Sequence, residues 1–404
     1  MRKILFLISV LNCLLFSQTE IFLQITKNLF EKANVYLIFK VEKNDFFEKF
    51  INTFSRDLEY SGYFKINGIK LIDDIEKIKS EIKTQIVITG EKKQEIIIIK
   101  VEDSYENKIL FENNYKLSYQ PEYLAHIICD DIVEKLTGKK GIAKSKILFV
   151  CDKTGKKQIY MIDYDGFNLK QITDFEYLVG YPRYLERNDI LFVSYEDGWP
   201  KISKMNILTN ELKTLISKPG LNACVSVSKK AKEIAVVLSQ SGNPEIYIAD
   251  FNGEIKKRLT YYNGIDSSPS FSPDGKYIAF VSDRSGKPQI YIMDKDGYGA
   301  KRISFISNYN TAPSFSPDGN YLAYIFSESG VYGLAIYDLN TQKTRTISGL
   351  NCEEFSWAPD SRHIVYSKTG KNQQLIIFDI FTRESRKLIS GEFNCLSPNW
   401  FLFD

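Results

Sequence analysis

The sequence predicts an α+β architecture in two parts, a small N-terminal α/β domain and then an all-β domain, a six-bladed β-propeller closed by its C-terminal strand. The first observation is repetition: SPSFSPDGKYIAFVSDRSGKPQIYIMDKDG begins at Ser268, and part of it returns from Ala312 as APSFSPDGNYLAYIF. The second is period. QIYIMD from Gln289 has relatives starting at Gln158, Lys201, Glu245, Gly333 and Gln374, with successive starts 43, 44, 44, 44 and 41 residues apart. Such a period belongs to propellers and arrays. The third is an offset: the repeats begin with a second-strand segment at Lys146 and end with a first-strand segment, SPNWF, at 397–401. A ring reconciles this, because the C-terminal segment then completes the blade that opens at Lys146 and leaves no free edge.

Taken in chain order, Arg2 and Lys3 precede an apolar run over 4–16 and the polar stretch SQTE. This is a secretory signal pattern, with cleavage expected near Ser17, and the run is shorter than the roughly 20 residues of a membrane-spanning helix. A lipidated Cys13 is the weaker reading, since Asn12 precedes it and the apolar run continues past it. The expected organisation is a signal peptide at 1–17, an N-terminal α/β domain at 18–140 and the propeller at 141–404. Within the α/β domain, Phe47, Phe50, Ile51, Phe54 and Leu58 share one helical face, with Asn44 or Asp45 as N-cap and Gly62 as a stop. Strands are expected at 84–91, 94–103 and 108–119, the last two joined as a hairpin through SYEN. A helix from Pro121 ends at Gly138, and the basic segment GKKGIAKSK leads into the repeats. Each repeat divides into four short strands punctuated by turns such as SPDG and DKDG, in which proline fixes φ and glycine accepts a positive φ.

The chain's 404 residues, 44% hydrophobic, can bury substantial cores. Its 53 basic and 50 acidic residues leave a net charge of +3, with no basic stripe, so nucleic acid is not an expected partner. Six cysteines include Cys13; Cys129, Cys151, Cys224, Cys352 and Cys395 remain after cleavage, an odd number without a CxxC pair. They read as small buried hydrophobes rather than a disulfide framework or zinc site, and no bond between Cys352 and Cys395 is expected. With two histidines, His126 and His363, a multi-histidine metal centre is disfavoured and both read as structural. No GxSxG elbow or phosphate loop is present, and the DYDG and DKDG segments read as turns rather than calcium loops. No cofactor is predicted, although a channel cation held by carboxylates stays open. Enzymatic function thus has little support; the enzyme reading kept as an alternative is a secreted propeller enzyme acting on an envelope glycan or ester in the channel.

The SPDG repeats, together with RDLEYSGYF, the helix ending in EKLTG and the final SPNW, resemble the TolB family, the periplasmic component of the Tol-Pal system, over essentially the whole mature chain. The second unit, DILFVSYEDGWPKISKMNILTNELKTLI, departs from the pattern by lacking both signature turns. The resemblance implies a periplasmic, non-catalytic protein, expected to be monomeric, that supports outer-membrane integrity and cell division. It also implies binding of the Pal lipoprotein at one propeller mouth and of a TolA-like inner-membrane protein through the mature N-terminal segment. That segment would be Glu20, Ile21, Phe22, Leu23, Gln24 and Ile25, whose apolar alternation suits strand addition to a partner; pairing within its own domain is the other possibility. The loops entering the first strands and those joining second to third strands share a face. Candidate partner-binding residues there are Asn263, Asp266, Ser267, Asp283, Arg284, Tyr309, Asn310, Thr311, Asn351, Glu353 and Asn394.

Overall fold

The computed structural model describes residues 31–403 apart from 80, 83, 371 and 390. The expected signal peptide, Cys13 and the 20–25 segment lie outside the described residues. The chain forms two units, one ending at Lys144 and including 381–383, the other comprising the rest.

In the first unit the strands β1 (Ala33–Lys40), β2 (Phe64–Leu71), β3 (Ile86–Lys93), β4 (Ile96–Asp103) and β5 (Lys108–Lys116) form one sheet in the order β2-β1-β3-β4-β5. The central strand β1 runs parallel to both neighbours, whereas β3, β4 and β5 are antiparallel. Sequence reading placed β3 to β5 but missed β1 and β2. The segment ANVYLIFK is apolar without alternation because β1 is central and largely buried, and such a run lacks the period-2 signature of a half-exposed strand.

Helix α1 (Asp45–Tyr60) starts where Asn44 Oδ1 accepts the Phe47 N–H at 3.0 Å and stops at Ser61 and Gly62, the latter at φ 81°. Its buried face carries the five residues expected there, and Phe50 packs edge-on to Phe39 of β1 at 5.9 Å. A short helix, α2, covers Ile75–Lys79. Helix α3 (Pro121–Thr137) ends at Gly138, left-handed at φ 66°. His126 of α3 meets Asp57 of α1, Nδ1 to Oδ2 2.7 Å, with both residues buried. The expected structural histidine therefore ties two helices together. One turn on, Asp130 accepts the backbone N–H groups of Ala143 at 2.8 Å and Lys144 at 3.2 Å. Burial outweighs these bonds and pushes its carboxyl up to about 6.

The second unit contains six four-stranded antiparallel sheets. The C-terminal strand Cys395–Phe401 pairs with Lys146–Cys151, followed by Gln158–Asp163 and Lys170–Gln171, as blade 1. Blades 2 to 6 open with Val179–Tyr184, Asn222–Ser228, Asp266–Phe271, Tyr309–Phe315 and Cys352–Trp357. Ring closure by the last strand is thus as expected. Trp400 Nε1 donates to Ser145 Oγ at 2.7 Å, and Phe401 stacks on Tyr184 of blade 2 at 4.3 Å.

The repeated words have local causes. In SPDG, Ser272 Oγ donates to Asp274 Oδ1 at 2.7 Å and accepts the Tyr277 N–H at 2.9 Å, while Gly275 N closes the turn on Ser272 O. Ser316, Asp318, Gly319 and Tyr321 repeat the arrangement in blade 5. In DKDG, Asp294 Oδ1 accepts the N–H groups of Asp296 and Tyr298, so this carboxylate oxygen is occupied by the turn itself. The serine of PSF has a different task. Ser270 Oγ accepts the Phe315 N–H of the next blade at 3.2 Å, Ser226 serves Phe271, Ser356 serves Trp400, and Asn399 Oδ1 serves Tyr184. The repeat therefore encodes the seams between blades as well as each blade.

Candidate functional site

Each blade enters the ring on the same rim, where loops from the preceding fourth strand reach the next first strand and second strands turn into third strands. Just inside this rim the first strands carry a bulge. Tyr181, Cys224, Ser268, Ala312 and Ser397 hold left-handed φ between 49° and 53° at corresponding positions in five blades. The register breaks beside each of these residues. None is glycine, so the sequence carries no marker of this feature; such a conformation costs an ordinary residue about 1 kcal/mol and persists because the ring fixes both sides. Two positions further along, the inter-blade serine of other units is replaced in blade 2 by Arg183. Burial lowers its guanidinium from the ordinary value, against the opposing field of Glu354 from blade 6.

The eleven candidate residues separate by burial. Asp266 and Asn310, expected as contact residues, are withdrawn from the surface at 0% exposure. Arg284 Nη2 donates to Asp266 Oδ2 at 2.8 Å and its Nε to Ser282 Oγ at 2.8 Å, while the guanidinium lies 5.0 Å from the Tyr291 ring centroid. Burial raises the Asp266 carboxyl, opposed by the Ser282 and Arg284 bonds. Asn310 Nδ2 donates to Gln289 Oε1 and to Ser307 O, both at 2.8 Å. Asp283 Oδ1 accepts the Ile265 N–H at 3.0 Å. Asn394 donates from N and Nδ2 to the two Asp152 carboxylate oxygens at 2.7 and 2.8 Å. Polar residues at the starts of first strands thus fasten the entering loops, because the loop backbone descending into the ring needs buried partners.

Ser267 and Thr311 are half-buried, whereas Asn263, Tyr309, Asn351 and Glu353 are exposed. Sequence reasoning missed their apolar neighbours. Tyr261 and Ile265 on the loop entering blade 4, and Phe305 and Ile306 on the loop entering blade 5 beside the expected Tyr309, are all exposed; Tyr261 and Phe305 are 72% and 73% accessible. Trp199, at a second-to-third loop of blade 2, adds a large ring to the same rim at 71%. Arg258 lies 4.5 Å from the Tyr261 ring centroid and Arg302 lies 4.8 Å from that of Phe305, so both aromatics are held against guanidinium groups. The opposite rim exposes Phe167, Leu208, Tyr277 and Tyr298, distributed over blades 1, 2 and 4. The signal was available in TYYNGID and SFISNYN, where aromatics interrupt otherwise polar loops. A rim with large apolar side chains on two consecutive loops, polar residues between them and a rigid base has the composition of a protein-binding surface.

Three comparisons bear on this arrangement. The family model described as the TolB beta propeller domain matches residues 133–403. A TolB homolog of Chlorobium chlorochromatii is 36% identical over 155 residues, 38% of this chain and 35% of the relative. The Tol-Pal system protein TolB of Desulfosudis oleivorans is 32% identical over 221 residues, 50% of each chain. The matched segment therefore spans half or less of these curated relatives. The crystal structure of TolB from Acinetobacter baumannii superposes with a TM-score of 0.82 at 26% identity, covering 92% of this chain and 96% of that one.

Proposed function

The chain belongs to the TolB β-propeller family, and from that premise we propose that it is an exported, non-catalytic adaptor of the Tol-Pal envelope system. In this reading the rim bearing Tyr261, Phe305 and Tyr309 binds the Pal lipoprotein, and residues 20–25 of the mature chain engage a TolA-like protein by strand addition. Its localisation is the periplasm, its role the support of outer-membrane integrity and cell division, and it acts as a monomer that needs no cofactor. Among the described residues no helix is long and apolar enough to cross a membrane, in keeping with an adaptor that meets membrane-anchored partners from the aqueous side.

The observation that carries the proposal is the concentration of exposed aromatics on two consecutive entering loops above a fixed polar layer. The layer keeps loop geometry constant, so a partner does not bear the cost of ordering it. Replacing Tyr261, Phe305 and Tyr309 together by alanine is expected to weaken capture of Pal by at least about tenfold while leaving the melting temperature unchanged, as interface anchors do. Titration of purified Pal against the wild-type and triple-variant proteins measures this. Equal affinities would remove this rim as the Pal site.

A further inference from the structure

We propose that Cys151 and Cys395 form a disulfide that covalently locks the closing blade of the propeller. The two residues are directly opposite in the antiparallel pair that joins the C-terminal strand to Lys146–Cys151. Their Sγ atoms lie 2.6 Å apart, against about 2.05 Å for a covalent S–S bond. The neighbouring position fixes the pair type: Asp152 N donates to Asn394 O at 3.2 Å, which makes 152 and 394 a hydrogen-bonded pair and 151 and 395 the adjacent non-hydrogen-bonded one. In such pairs the Cα atoms face each other at about 4.5 Å, within the range that disulfides span. Asp152 also takes both Asn394 donors, so the register that aligns the sulfurs is held from the next residue.

Cys151 and Cys395 are both buried, at 1% and 0% exposure, so exchange takes place while the last strand is docking, before the ring has sealed. The Cys151 thiolate attacks the disulfide of an exported thiol–disulfide oxidoreductase and displaces one of its thiolates. The Cys395 thiolate then attacks the Cys151 sulfur of the mixed disulfide and releases the second. Two electrons pass to the oxidoreductase, which leaves as a dithiol with the two protons, and the S–S bond closes a loop spanning a sequence separation of 244. A loop of this length is expected to raise the melting temperature by about 10 °C.

The inference takes its oxidant from the proposed export and its geometry from the blade alone, so the test has two arms. The mature full-length protein is refolded in a glutathione redox buffer, denatured, alkylated and mapped by mass spectrometry. The expected result is a 151–395 cross-linked peptide and a melting temperature that falls by about 10 °C on reduction, with no such fall in the Cys151→Ala/Cys395→Ala variant. Free thiols at both positions after refolding would overturn the disulfide. In the second arm, protein alkylated directly in cells is expected to carry the same bond. Its absence there, after formation in the first arm, would overturn export to an oxidising compartment and leave the geometric assignment intact.

Discussion

Gly297 and Gly286 have nearly the same backbone conformation, φ 92° and 95°, but different surroundings. A Cβ at Gly297 would lie 2.7 Å from the Leu259 carbonyl oxygen of the preceding blade, whereas one at Gly286 meets nothing within 4 Å. Alanine at 286 is expected to cost about 1 kcal/mol from φ alone. Alanine at 297 is expected to cost more than that, because backbone must also shift; chemical denaturation of the two variants gives the comparison. Asp130 supplies a pH signature. Its folded value of about 6 lies above the roughly 3.9 of an unfolded aspartate, so the folded state binds the extra proton between these values and stability rises as pH falls through that window. The melting-temperature difference between wild type and Asp130→Asn should move in favour of wild type from pH 7 to pH 5. Parallel curves would contradict the assignment.

Among the elements, the turns were the most legible. Serine, aspartate and glycine in SPDG each have a bond or a φ that demands them, and loss of the Ser272 hydroxyl is expected to cost about 1 kcal/mol by freeing the Tyr277 N–H. A thermal melt of Ser272→Ala checks this. Blade 2 makes the corresponding connection without the word and one residue shorter: Asp189 N closes on Glu186 O, and Arg187 and Asn188 take positive φ, 50° and 67°, where SPDG places only Gly275 there. The inner-strand bulge was illegible because tyrosine, cysteine, serine and alanine occupy it, held by the ring rather than by their own propensity. The candidate rim was half legible. Loop position follows from strand order, but burial of Asp266 and Asn310 depends on partners 18 and 21 residues away, Arg284 and Gln289, and no local pattern marks which polar loop residue turns inward.

For the whole molecule, closure carries the stability. Trp400 and Phe401 are buried in the last strand, and burying each is worth roughly 2–3 kcal/mol. Their loss, about 4–6 kcal/mol together and added to an unpaired edge on Lys146–Cys151, is comparable with the lower end of the roughly 5–15 kcal/mol available to a typical fold. Truncation after Leu396 is expected to give unfolded or aggregated protein, as seen by circular dichroism and sedimentation. An unchanged melt would contradict closure as a stabilising device. In the proposed function the same closure preforms the rim, since a ring with fixed loops presents one preformed face. Photo-crosslinking in intact cells tests this most directly, with a probe at exposed Tyr309 on the entering rim and a matched probe at exposed Asp318 on the opposite rim. Capture of Pal from position 309 alone is the predicted result; capture from 318 alone, or from neither while both proteins are abundant, would contradict it.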